Sequence, residues 1–319
     1  MPRFLHGETA GYSVAMAKHR WSTSDVPSLD GRTALVTGAN SGIGAAAATA
    51  FAQAGAHVVL AVRDTRRGQE AARAVGGSNE VRHLDLADLS SVRSFAASWS
   101  GTLDILVNNA GVAGRRGART KDGFDLQFGT NHLGHFALTN LLLPHLTDRV
   151  VTVSSGAHKA GDIHFDDLAL RNRKYGFAET YGQSKLANLL FTLELERRLR
   201  RASSAIRSLA AHPGYSATNL GTQGRNRLII TAANLAGQLF AQTSEQGALP
   251  TLFAATQDLP GASYIGPDGI GELHGYPTLI GRSAKASNPE TAHRLWKVSE
   301  QLTGISFGLD PGAQPRMMR

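Results

Sequence analysis

Short apolar runs at residues 33–37, 57–62, 81–84, 103–107, 150–154 and 206–211 alternate along the chain with stretches of helical spacing at 42–55, 65–75, 88–99, 123–146 and 179–201. Each run is too short for a buried helix, and its unbroken apolar character predicts a strand covered on both faces. Strand and helix in strict alternation predict an α/β fold, a single doubly wound parallel sheet of Rossmann type with helices on both faces. Right-handed crossovers then bring the loops that follow the strands to one rim, where ligands of such sheets bind. A last helix is expected over 289–303. The folded domain is expected over 26–307, preceded by an extension at 1–25 and followed by a tail at 308–319 rich in proline and glycine.

The first run leads into Thr37-Gly38-Ala39-Asn40-Ser41-Gly42-Ile43-Gly44, and an alanine-rich helical stretch follows at once. Glycines there let the backbone take positive φ and approach a pyrophosphate closely. The N–H groups and positive dipole of the helix start would face its charge. The second run ends in Arg63-Asp64. An arginine at that strand end attracts a ribose 2′-phosphate, whereas a carboxylate there accepts hydrogen bonds from the ribose hydroxyls. Arg63 favours NADPH, and a strand one residue longer would bring Asp64 forward and favour NADH. Tyr181 and Lys185 are four residues apart, which stacks them on one face of a helix. A free tyrosine has a pKa near 10, and lowering it by about three units takes roughly 4 kcal/mol. The ammonium of Lys185 can supply part of that.

Composition removes other classes of function. With 319 residues, 42% hydrophobic and 18% charged, the chain has ample core for one large domain. It has no cysteine, so disulfides, thiolate catalysis and cysteine zinc sites are excluded. The apolar stretch at 228–241 is broken by Asn234 and Gln238 and is too short to span a bilayer, so a cytoplasmic chain without a membrane span is expected. The net charge of +8 is scattered. Its densest cluster, Arg197, Arg198, Arg200 and Arg201, falls at a helix end, where cations complement the dipole and face solvent. No aromatic residues interleave with it, so no nucleic-acid partner is expected. His132 and His135 share a helix face without a third ligand and read as packing residues, with no metal site expected. Ser154-Ser155-Gly156 lacks the G-x-S-x-G spelling of a hydrolase nucleophile elbow.

The T-G-x-x-x-G-x-G turn resembles that of the short-chain dehydrogenase/reductase family, and further motifs of the family follow in order over residues 32 to 266. By this resemblance Gly38, Asn40, Ser41, Gly42, Ile43 and Gly44 cradle the dinucleotide phosphates, and Asp85-Leu86 holds the adenine. Asn108-Asn109-Ala110-Gly111 is similar to the family's N-N-A-G turn, placing Asn109, Ala110 and Gly111 along the cofactor. Pro213, Gly214 and Thr218 resemble the loop around the nicotinamide amide. The resemblance makes Asn131, Ser155, Tyr181 and Lys185 the catalytic set, with Tyr181 and Lys185 also touching the cofactor. Tyr181 would be the general acid/base, Ser155 would donate to the substrate oxygen, and Asn131 would hold a water leading to Lys185. It implies NADP(H)-dependent interconversion of a carbonyl compound and its alcohol, in a monomer or homodimer. A non-catalytic NADP(H)-binding sensor on the same fold is the alternative, and the presence of all four catalytic residues argues against it.

Between Ser155 and Tyr181 lie 25 residues, more than compact members of the family carry. With Asn131-His132-Leu133-Gly134-His135-Phe136 and Tyr181-Gly182-Gln183-Ser184-Lys185-Leu186-Ala187-Asn188, this insert is most similar to the retinol-dehydrogenase and protochlorophyllide-reductase-like branch. Members of that branch with arginine at the position of Arg63 generally use NADPH. A lid over 220–242 would supply Leu228, Ile229, Ile230, Leu235, Leu239 and Phe240 near the site, which favours a bulky, apolar substrate.

Overall fold

The computed structural model describes residues 20–114, 117–170, 175–215 and 242–309. Residues 1–19, Thr218, residues 310–319 and all of the expected lid except Gln242 lie outside them. Among the described residues, eight strands form one sheet: β1 (Thr33–Thr37), β2 (His57–Val62), β3 (Asn79–His83), β4 (Leu103–Asn108), β5 (Leu146–Val153), β6 (Arg207–Ala211), β7 (Tyr264–Pro267) and β8 (Pro277–Leu279). Their order is β3-β2-β1-β4-β5-β6-β7-β8, parallel throughout except that β8 returns antiparallel to β7. The strand order reverses between β1 and β4, so the loops after these strands open a crevice at the switch point.

The two faces of the sheet are read directly from the alternation of side chains. Ala34 and Val36 of β1 pack with α1 (Gly42–Gln53), while Leu35 between them packs on the opposite side with Phe136 and Leu138 of the central helical segment. The remaining helices are α2 (Thr65–Val75), α3 (Leu89–Ala97), α4 (Gly134–Leu142), α5 (Phe177–Arg201), α6 (Ser244–Thr256) and α7 (Pro289–Thr303). Small residues let α1 approach α6 closely: Ala47, Ala48, Ala248, Ala254 and Ala255 all belong to one buried cluster with Phe51 and Phe253.

Three departures from the sequence pattern have physical causes. The single helix expected over 123–146 is instead a short turn, Leu126–Phe128, one π turn, Gly129–Leu133, and α4, and Leu146 already begins β5. The backbone stays right-handed helical across these joins, and close packing demands glycine at two of them: a Cβ on Gly129 would lie 2.4 Å from Thr120, and one on Gly134 would lie 2.4 Å from the Leu86 carbonyl. The second departure is α6 with β7 and β8, which the pattern of runs does not single out. Pro250 sits inside α6 and reads as a breaker, and β7 contains Gly266 and Pro267. Third, the arginines after residue 196 do not simply face water. Arg197 and Arg198 reach the fully buried carboxylate of Glu194 at 2.6 and 3.1 Å, and the Arg198 guanidinium lies over Trp296.

The described part of the insert packs against the domain. Ile163 joins the buried cluster of Leu186, Leu189, Leu190 and Leu295, and the Tyr175 hydroxyl donates to Asp167 at 3.0 Å. Leu186, Leu189 and Leu190 of α5 are thereby core, covered by Ile163 and by Ala292 and Leu295 of α7.

Ahead of β1, Trp21 is buried edge-to-face against Phe253 at 5.2 Å. Replacing a buried Trp by Ala typically costs about 3–5 kcal/mol. Trp21→Ala should lower the unfolding free energy by that amount, seen as a lower urea midpoint at an unchanged m-value, and a loss below about 1 kcal/mol in urea titration would show that the segment does not anchor the domain.

Candidate functional site

The rim at the switch point is organised around one hydroxyl. Thr37, the last residue of β1, is fully buried, and its Oγ1 accepts the N–H groups of Asn109 and Ala110 at 3.0 and 2.9 Å. The Asn109 side chain returns a bond to the Thr37 carbonyl at 2.8 Å. The turn after β4 is thus locked to the turn after β1. Gly38 follows with φ of +68°, a left-handed conformation that other residues adopt at a cost. At Gly44 a Cβ would stand 2.5 Å from Asn109 Nδ2 and 2.7 Å from the Gly38 carbonyl, so only glycine lets α1 start this close.

The start of α1 differs from its neighbours. Asp64 caps α2 by accepting from Arg67 N at 3.0 Å, and Asp88 caps α3 through Ser90 N and Ser91 N, whereas Ser41 makes no side-chain cap to α1. First-turn N–H groups left in this way, beside flexible glycine backbone, suit an anionic oxygen. Asn40, Ser41, Gly42 and Ile43 line this end. Arg63 is exposed just after β2. Asp85 closes its own turn, its Oδ1 accepting from Ala87 N at 2.9 Å, and Leu86 beside it is buried. These residues fit a dinucleotide laid along the rim.

At the middle of the rim, α5 brings Tyr181 and Lys185 under the end of β5. The Lys185 ammonium donates to the Val153 carbonyl at 3.1 Å and stands 5.6 Å from the centre of the Tyr181 ring. The helix is pinned there by Ser154 Oγ, which donates to the Lys185 carbonyl, and by Asn188, which donates to Val153 O. Burial alone holds the Lys185 amine down to about 8. Burial pushes the Tyr181 phenol up to about 12, partly offset by its hydrogen bond with Ser155. Dehydration thus acts on both groups in the direction of the neutral form.

Asn131 sits in the π turn, a device that recurs where a helix must aim a functional group. Its Oδ1 accepts from Val112 N at 2.7 Å, and its Nδ2 donates to Val112 O and to Ser184 Oγ. A Cβ at Gly111 would be 3.6 Å from both Asn131 Oδ1 and Lys185 Nζ, so the turn after β4 borders these two groups directly. Asn131, Ser155, Tyr181 and Lys185 are therefore together, next to Gly111. Pro213 and Gly214 lie on the adjoining loop after β6.

Other residues of this neighbourhood carry no signal in the sequence. His158 donates from Nδ1 to the Ser155 carbonyl at 2.8 Å. His212 Nδ1 accepts from Gly214 N at 3.1 Å, and its Nε2 lies 3.4 Å from Glu272, which also pairs with Lys159 at 3.1 Å. Glu272 has φ of +60° and comes from the β7–β8 loop, far away in sequence. It ties the turn after β5 to the loop after β6. Beside it Tyr215, Ile270 and Leu273 are exposed, 52, 88 and 51% respectively, and Tyr215 N donates to the Leu273 carbonyl. His132 is a packing residue, set among Phe128, Phe136 and Phe191.

Comparison with known proteins bears on this geometry. The family model for short chain dehydrogenase matches residues 32–228. Human Retinol dehydrogenase 13 is 40% identical, with 96% of this chain and 95% of that protein covered. Human Retinol dehydrogenase 14 is 39% identical, with 87% and 88% covered. Among solved structures, an uncharacterised protein from Mycobacterium paratuberculosis is 52% identical, with a TM-score of 0.80 over 91% of this chain and 99% of that one. A short chain dehydrogenase from Burkholderia cenocepacia, solved in complex with NADP, is 26% identical, with a TM-score of 0.55 over 72% of this chain and 92% of that one. Among the described residues, no helix is long and apolar enough to cross a membrane. A half-buried Tyr181 above a buried Lys185 on the rim of a doubly wound sheet and relatives along nearly the whole chain lead to one conclusion: the protein belongs to the short-chain dehydrogenase/reductase family, in its retinol-dehydrogenase-like branch, and is an oxidoreductase acting on CH–OH and C=O groups.

Proposed function

We propose that this protein interconverts a bulky, apolar ketone or aldehyde and its alcohol using NADP(H), with Tyr181 as general acid and base. The observation that carries the reading is the dehydrated Tyr181–Lys185 pair beside Gly111. When bound, the nicotinamide supplies the hydride and, once oxidised, a positive charge near the phenol.

Reduction of a carbonyl develops negative charge on its oxygen, and Tyr181 Oη, protonated up to about pH 12 in the free protein, is in the form that donates. Ser155, hydrogen-bonded with Tyr181, is placed to donate to the same oxygen. The Lys185 ammonium favours the phenolate left behind, and in a dry site that attraction is stronger than in water. Asn131 and the Val153 carbonyl hold Lys185 and its surroundings in register. In alcohol oxidation the proton passes the other way, from the alcohol to Tyr181.

Three features support the finer assignments. Asp64 is engaged as the cap of α2, which leaves exposed Arg63 as the group at the end of β2 facing a 2′-phosphate. The exposed Tyr215, Ile270 and Leu273 form an apolar margin beside Pro213 and Gly214, suited to an apolar substrate. The relatives named retinol dehydrogenase point to the same substrate character.

Tyr181→Phe keeps the ring and removes the acid, so turnover of an aromatic or long-chain carbonyl should fall by at least about a hundredfold while NADPH still binds. Near-normal kcat, or higher kcat/KM for small hydrophilic ketones, would contradict the reading. Wild-type protein should prefer NADPH to NADH, and Arg63→Ala should lose about ten- to a hundredfold in kcat/KM for NADPH alone. Equal use of both cofactors by the wild type would refute it.

Lys185 yields a prediction on stability. Its folded-state value of about 8 lies below the unfolded one, so the buried charge costs stability below pH 8. The unfolded state binds the extra proton between about pH 8 and 10.4, and this cost is relieved as pH rises through that window. Lys185→Met should therefore stabilise the cofactor-free protein at pH 7 by up to about 3 kcal/mol, seen as a higher melting temperature, while abolishing turnover. The gain should shrink as pH rises above 8. A destabilised variant at pH 7 would show that the lysine is structural.

A further inference from the structure

We infer that His135 is a positioning residue that joins the cofactor turn to Asn131 through the Thr37 hydroxyl. The inference rests on the proposed function and adds a residue to it. His135 is 1% exposed and uses both ring nitrogens, Nδ1 at 3.0 Å from the Asn131 carbonyl and Nε2 at 2.9 Å from Thr37 Oγ1.

Counting protons fixes the direction of every bond. A carbonyl only accepts, so Nδ1 carries the hydrogen and donates to Asn131 O. Burial, with the nearby Lys185 charge, holds the ring down to about 4, so it is neutral and Nε2 has a free lone pair. The Thr37 hydroxyl must then donate its single proton to Nε2. Its two lone pairs receive Asn109 N and Ala110 N. The Val107 carbonyl, 3.3 Å from the same oxygen, competes for that proton at a longer distance. Every donor and acceptor of the ring and the hydroxyl is used in this arrangement, and it has one tautomer.

Thr37 holds the turn that carries Gly111, and Asn131 touches both that turn and Ser184 on α5. A change at either end of the ring therefore moves both the dinucleotide cradle and the Tyr181 helix. His132, one turn away on the same segment, makes the contrast: its Nε2 contacts Ser299, on the side away from the site.

The test uses the intact protein with NADPH and an aromatic aldehyde. Fluorescence titration gives the NADPH Kd and the number of competent sites, and kcat is expressed per competent site. His135→Phe keeps the ring volume and removes both bonds, so kcat should fall roughly tenfold or more and NADPH should bind more weakly. His135→Asn keeps an N–H where Nδ1 stood. It should recover much of kcat but not the full NADPH affinity, since the Thr37 hydroxyl then has only the longer bond to the Val107 carbonyl and loses its tie to the Asn131 segment. Thr37→Val should weaken NADPH binding in the same way, and Thr37→Val combined with His135→Phe should bind no worse than the weaker single variant. Wild-type kcat and Kd per competent site in His135→Phe, or additive losses in the double variant, would overturn the inference. Should His135→Phe not fold, weakening by both His135→Asn and Thr37→Val, with the larger loss in Thr37→Val because it also strands the Asn109 and Ala110 N–H groups, supports it, and normal NADPH affinity in either refutes it. Tyr181→Phe in the same assay separates the two levels: an active Tyr181→Phe sinks the proposed function, whereas an inactive one beside a normal His135→Phe sinks this inference alone.

Discussion

Keeping an ammonium group out of water is costly, and Lys185 does so at 3% exposure with a backbone carbonyl as its hydrogen-bond acceptor. Much of the local architecture exists to hold that position. The end of β5 offers Val153 O, α5 is fastened to the same strand by Ser154 and Asn188, and the π turn leans Asn131 over the gap. A chain selected only for stability would place an apolar side chain there. The dehydration that makes the position expensive also lets a single charge act on Tyr181.

The second constraint is the lock between the turns after β1 and β4. Parallel strands leave these turns side by side, but adjacency alone does not fix their spacing. Thr37 does, with one hydroxyl serving two backbone N–H groups. Because Gly111 in the second turn borders Lys185 and Asn131, the cofactor cradle and the proposed proton-transfer groups share a wall. The Glu272 bridge plays the matching part across the rim, between Lys159 and His212.

The sheet and the candidate site were legible in the sequence because both rest on local signals. Apolar runs mark β1, β2, β4 and β6, and the four-residue spacing of Tyr181 and Lys185 survives on any helix. What the sequence hid depends on contacts between distant segments. The glycines at 129 and 134 answer the close approach of Thr120 and Leu86 to the helix, and apolar periodicity carries no trace of that. Likewise β7 and β8 are short: β7 carries Gly266 and Pro267, and β8, which begins at Pro277, is the sheet's edge strand. By spacing alone His135 is a packing residue, since its two partners, Thr37 and the Asn131 carbonyl, are set by the fold. Glu272 has no local signal at all. The choice between Arg63 and Asp64 depends on where the strand stops, which spacing alone leaves open; β2 ends at Val62, and Asp64 caps the next helix.

The most direct measurement is a single turnover of the NADPH-loaded protein with an aromatic ketone, followed by absorbance of the reduced nicotinamide in water and in deuterium oxide. Proton donation by a dehydrated Tyr181 predicts a solvent isotope effect on hydride transfer in the wild type, together with a near-complete loss of the fast phase in Tyr181→Phe. Equal rates in the two solvents, with a fast phase that persists in Tyr181→Phe, would contradict it.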